Sequence, residues 1–164
     1  MKQRSDIRIG EILVEQNVLN EQQVFEILQA QKHDGVPFGV LAEQMFDVSV
    51  DSIEWAWVEQ YQRFTGSIDL EKQRFDAAAL KVINRRQAWQ FEILPIRFES
   101  SGELLMAASR RRFARAVTFA AKRVEPSVFF RLAESKQLRS FLMQHYPMPE
   151  VTEELLRRAA ALTH

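Results

Sequence analysis

The chain has 164 residues and no cysteine, which excludes disulfides and thiolate chemistry. Its five glycines form no GxxxxGK[ST] phosphate loop, no GxGxxG dinucleotide fingerprint and no GxSxG nucleophile elbow. The three histidines, His33, His145 and His164, lie far apart without HxxxH spacing, so they read as surface residues rather than metal ligands. No apolar run approaches the roughly 18 to 20 residues that a membrane span requires. The opening MKQRSD has no apolar stretch behind it, unlike a secretory leader. These gaps lead to the expectation of a soluble, cytoplasmic protein that holds no metal and no cofactor and is not itself an enzyme.

What is present argues for packed structure. The chain is 46% hydrophobic and carries 12 Phe and 3 Trp, enough for one large core or two small ones. Lys plus Arg and Asp plus Glu stand at 22 each, but the balance is a cancellation. Residues 1–76 hold 7 basic and 14 acidic side chains, net −7, and residues 77–164 hold 15 and 8, net +7. This polarity fits two subdomains whose surfaces attract each other or other copies, and it equally fits chance variation between solvated faces.

The acidic half says nearly the same thing twice. RIGEILVEQNVLNEQQVFEILQAQ runs from Arg8 to Gln31, and PFGVLAEQMFDVSVDSIEWAWVEQ runs from Pro37 to Gln60, offset by 29 residues. Gly10 aligns with Gly39, Val24 with Ile53, Leu28 with Trp57 and Gln31 with Gln60. Each copy reads as two short helices. Ile9, Ile12 and Leu13 keep a helical period after Asp6, and Asn17 ends it in a conformation that Asn tolerates. Asn20 with Gln23 three residues on reads as a capping box, after which Val24, Ile27, Leu28 and Gln31 share a face. Lys32 to Val36 is expected to loop into the second copy, where Ser49 caps and Ile53, Trp57 and Gln60 repeat that face.

Beyond residue 70 the pattern changes. DAAALKVINRRQAWQ has helical spacing, and FEILPIRFESSGELLMAAS alternates as two strands about a turn at Ser100–Gly102. RRRFARAVTFAAKRV reads as a basic amphipathic helix with Phe113, Ala116, Val117 and Ala120 inward, PSVFFRLA as a third strand, and ESKQLRSFLMQHY as a helix from about Glu134. A last helix is expected after a cap near Thr152. The fold class is therefore α+β: a helical tandem over residues 1–70, then a β-β-α-β-α open sheet with helices over 71–164. The basic run at 110–115 suits nucleic acid or anionic lipid as well as ordinary helix packing. Its apolar residues at helical spacing favour packing, and no DNA or RNA partner is expected.

The tandem resembles the RLGxxL…LxxxLxxQ motif of the MshEN type, the N-terminal domain of type II secretion and type IV pilus assembly ATPases. ALKVINRRQAWQFEILPIRFESSGELLMAAS is similar to that family's helix and hairpin, and the likeness runs over residues 7–146. The resemblance implies a module that binds cyclic di-GMP through both copies, using Arg8, Ile9, Gly10, Val24, Leu28 and Gln31 of the first and Phe38, Gly39, Ile53, Trp57 and Gln60 of the second. A guanidinium and a glycine at a helix start suit phosphate or a guanine edge, and a glutamine offers both a donor and an acceptor. A ligand with near two-fold symmetry is met naturally by two similar half-sites. The same spacing also suits a duplicated hairpin whose glycines and glutamines only pack and cap.

The second copy departs from the motif with Pro37, Phe38, Phe46 and Trp57, and the first with Asn17. Pro37 removes a cation and a donor, while Phe38 and Trp57 either stack on a base or fill the groove. Domains of this type also occur at the C-terminus of NfrB-like membrane glycosyltransferases. The expected setting is thus a larger protein on the cytoplasmic face of an inner membrane, whose catalytic domain or membrane partner this module contacts. The competing expectation is a docking domain of a secretion or pilus ATPase that binds no nucleotide.

Overall fold

The computed structural model describes residues 7–149 and 153–162. The first copy folds as α1 (Ile9–Glu15) and α2 (Glu21–Asp34), the second as α3 (Phe38–Phe46) and α4 (Val50–Thr65). Asn20 caps α2 as its sequence requires: its Oδ1 accepts from the Gln23 amide at 2.8 Å, and Gln23 Oε1 accepts from the Asn20 amide at 2.9 Å. Asn17 ends α1 at φ 58°, and Ser49 caps α4 through the Ser52 amide at 3.1 Å. Asp6, after which the helical period was expected, lies outside the described residues; α1 begins after Arg8. Lys32, His33 and Asp34 prolong α2 rather than looping, and left-handed Gly35 at φ 62° closes it. In the second copy Phe46 stays helical, so the reversal moves one residue on, to Asp47 at φ 55°.

The second half holds β1 (Ser67–Ile68), a 3-10 turn at Leu70–Lys72, α5 (Ala77–Leu80), α6 (Arg85–Phe91), β2 (Ile93–Phe98), β3 (Leu104–Ala108), α7 (Phe113–Arg123), β4 (Val128–Ala133) and α8 (Ser135–His145), with α9 (Glu153–Ala161) after it. The α+β class and the β-β-α-β-α order are both present. The strand order is β1-β4-β3-β2, antiparallel between β2 and β3 and parallel elsewhere. Pro95, which cannot donate to a ladder, sits on edge strand β2 beside a register shift at Pro95/Arg97.

Three expectations need correction. The stretch from Asp76 is not one helix: it breaks after Leu80, and Asn84 starts a new one with a second capping box through Gln87. The hairpin does not alternate, because all five residues of β3 are buried, whichever face of the sheet they point to. The sheet gains the two-residue strand β1, too short to leave a periodic signal. The cap at Thr152 lies outside the described residues, although α9 follows it.

Two cores result. One gathers Ile12, Leu13, Leu19, Ile27, Leu41, Ala42, Val48 and Ala56 among α1 to α4. The other surrounds the sheet and reaches back to α4 through Val58, with Trp57 and Tyr61 packed on it. Helix α4 therefore belongs to both, giving Ala56 to the first and Val58 to the second.

Candidate functional site

The two copies interlock by exchange. A methyl group placed on Gly10 would meet Val24 Cγ1 at 2.9 Å and Phe38 Cζ at 3.2 Å, so α1 lies as close to α2 and α3 as a glycine permits. The equivalent methyl on Gly39 would meet Ile53 Cγ2 at 2.9 Å. Glycine thus faces a stiff β-branched side chain in each copy, which fixes the spacing of the two helices. The glutamines complete the pattern. Gln31 Nε2 of the first copy donates to the Val36 carbonyl at 3.1 Å, and Gln60 Nε2 of the second donates to the Ile7 carbonyl at 2.9 Å. Ile7 and Val36 are themselves equivalent under the 29-residue offset, each standing one residue before its motif. Each copy therefore holds the opening of the other.

This exchange brings together Ile9, Gly10, Val24, Phe38, Gly39 and Ile53 at the helical core. Arg8 stands exposed at the N-cap of α1, its amide donating to Glu11 Oε2 at 3.2 Å and its guanidinium in no ion pair among the described residues. Pro37 holds the same place on α3. Leu28 is half-buried and Trp57 is turned elsewhere: its ring stacks on Phe113 of α7 at 5.2 Å and 20°. The position held in copy one by a half-buried leucine outside both cores has become an anchor to the sheet core in copy two.

Sequence reading missed the polar chain that runs from copy one to the sheet. Arg63 of α4 binds Glu15 of α1 at 2.6 Å and Glu59 at 2.8 Å, and Arg110 in turn binds Glu59 and Gln62. Burial pushes the Glu59 carboxyl up, but hydrogen bonds from Arg110 and Arg63 outweigh it and hold the group below its ordinary range. The Arg110 guanidinium also lies 4.6 Å from the Trp55 ring centre. Glu92 is a second such knot. It is buried in a left-handed conformation at φ 48°, accepts from Ser109 Oγ and from Arg111 at 2.6 Å each, and has Arg112 and Arg139 at 3.7 Å. Apart from Arg63 with Glu59, an i,i+4 pair on α4, these pairings had no local sequence signal, since the partners lie 17 to 51 residues apart. The run at 110–112 spends its charge on them, and Phe113, Ala116 and Ala120 are buried, so α7 packs on its apolar face; Val117 is only half-buried, and Phe119 joins the core instead.

Among the described residues no His, Cys, Asp or Glu group is placed to hold a metal ion, and no helix is long and apolar enough to cross a membrane. No family model matches the chain, and no curated protein does. Among solved structures it is similar to one described as MshE with cdg, at 23% identity and a TM-score of 0.49, over 85% of this chain and 99% of that one. It is also similar to the N-terminal domain of XpsE at 18% identity and a TM-score of 0.46, over 89% of this chain and 99% of that one. A second crystal form of that domain, I4122, gives 19% identity and a TM-score of 0.43 over the same shares.

Proposed function

We propose that this chain is a regulatory module that binds cyclic di-GMP across its two helical copies and passes the signal to a larger protein, a membrane glycosyltransferase on the cytoplasmic face. The observation that carries the reading is the reciprocal exchange of Gln31 with Val36 and Gln60 with Ile7, which sets the two motif openings in a pseudo-two-fold relation. A two-fold ligand needs that relation, and a merely stacked pair of hairpins does not. Arg8 supplies the cation for phosphate or a guanine edge. Leu28 and the ring of Phe38 supply apolar surface for a base, and each glutamine keeps its carboxamide oxygen without a hydrogen bond among the described residues.

The half-sites are unequal in this reading, with polar recognition from the first copy and apolar contact from the second. Titration calorimetry with cyclic di-GMP, with GTP and ATP as controls, tests it. Heat with cyclic di-GMP alone is expected, and silence up to high micromolar ligand with the fold intact overturns it.

One observation favours a second reading. The close approach at Gly10 is already filled by Val24 and Phe38, as a docking domain without nucleotide would have it. In that case partner binding survives Arg8→Ala and Gln31→Ala together, and cyclic di-GMP leaves no trace.

A further inference from the structure

A groove along α7 plays no part in the tandem motif. Two stretches of it, of about 530 and 380 Å³, share Glu54 and Ala114 and so form one channel between α4 and α7. The smaller stretch is an apolar slot with charge at both ends. Phe91 and Phe119 floor it, stacked at 4.3 Å and 15°. Lys122 and Arg123 stand at one end, in no ion pair among the described residues. Glu54 stands at the other, where the two stretches meet, and is likewise unpaired among them. Along α7 from its C-terminal end the order is therefore cationic, aromatic, anionic.

Helix α2 of the tandem carries the complementary order. Glu21, Phe25 and Lys32 are all exposed, the ring of Phe25 by 56%. At about 100° per residue the three lie within about 40° of one another, so one face of the helix presents all of them at once. Neither Glu21 nor Lys32 is in an ion pair among the described residues. Read from the N-terminal end of α2, that face is anionic, aromatic, cationic.

We propose that α2 of a second copy seats in this groove, antiparallel to α7. The ring of Phe25 rests on Phe91 and Phe119, the Glu21 carboxylate meets Lys122 and Arg123, and the Lys32 ammonium meets Glu54. The spacing agrees. Phe119 and Ala114 lie about 5 and 12 Å from Lys122 along α7, and Phe25 and Lys32 about 6 and 16 Å from Glu21 along α2. The flexible stem of Lys32 takes up the difference. A second copy is the occupant because the chain carries both complements, Glu21 in the half of net −7 and Lys122 with Arg123 in the half of net +7. Within one chain the two stay apart, since Phe25 is exposed and does not line the groove it fits. Two copies that each seat the other's α2 close a two-fold pair with both contacts made.

The test follows the full chain by light scattering and sedimentation over a concentration series. A dimer is expected at tens of micromolar. Phe25→Ser removes the anchoring ring and weakens association at least tenfold. Thr118→Trp, which fills the slot from its exposed wall, does the same from the other side of the contact. Lys122→Glu with Arg123→Glu weakens association to a similar extent, and adding Glu21→Lys to that chain restores it. All of these positions are exposed, and circular dichroism verifies that each variant is folded. A chain that stays monomeric at every concentration overturns the proposal. So does a dimer indifferent to Phe25, or a charge-reversed chain that Glu21→Lys fails to rescue. Titration with cyclic di-GMP is scored separately, so none of these results decides that reading.

Discussion

The two halves of the tandem, α1–α2 and α3–α4, set a glycine against a β-branched side chain and a glutamine against the other half's first carbonyl, yet they part at both ends. Copy one opens on an exposed arginine and copy two on a proline. Copy one carries Leu28 and Ala30 where copy two carries Trp57 and Glu59, and only the latter pair reaches the sheet, through Phe113 and Arg110. The difference teaches that α4 serves two masters. A helix that must fasten the sheet gives up side chains its counterpart leaves clear of the sheet, so the copies can share a backbone plan without sharing a chemistry.

The largest expected effect separates the copies by stability. Trp57→Ala, which removes the stack on Phe113, should cost about 3 kcal/mol and lower the melting temperature by roughly 6–12 °C. Leu28→Ala should cost about 1 kcal/mol, since that side chain is only half-buried. Equal losses in thermal melts would erase the distinction. Binding should separate them in the opposite sense: Arg8→Ala weakens cyclic di-GMP by about 1.5–3 kcal/mol, tenfold or more, with the melt unchanged. Pro37→Arg, which gives copy two the cation it lacks, should tighten binding in the same titration.

Smaller effects sharpen the shared part. Gly10→Ala should destabilise by about 1–2 kcal/mol, because the new methyl meets both Val24 and Phe38. Gly39→Ala, with Ile53 alone in the way, should cost less in a urea titration. The smallest effect is a pH dependence. The Glu59 carboxyl is held below its ordinary pKa of about 4.3, so the unfolded chain binds the proton more readily as pH falls. Its contribution is full above that value and is lost as pH drops through the lower folded one. Between pH 5 and about 3 the melting temperature of Glu59→Gln should therefore fall a few degrees less than that of the parent chain.

Local signals carried the elements whose ends are chemically marked. Asn20 with Gln23, Asn17 and Ser49 each did in the structure what their side chains allow anywhere. What escaped depended on partners distant in sequence. Ser67–Ile68 is a strand only because β4 lies beside it, and β3 loses its alternation only because it is buried on both faces of the sheet. The candidate site divides the same way. Its glycines and glutamines were visible as a repeat, whereas the exchange with Ile7 and Val36 and the turning of Trp57 toward Phe113 are tertiary facts.

The shared membership of α4 also bears on how the molecule melts. Ala56 sits in one core and Val58 in the other, two residues apart on a single rod of hydrogen bonds. Neither core can come apart while the other keeps that helix wound, so heating should give one calorimetric peak whose van't Hoff and calorimetric enthalpies agree. The amide protons of residues 56–58 should then exchange with solvent only through global opening, more slowly than those of α9, none of whose residues is buried.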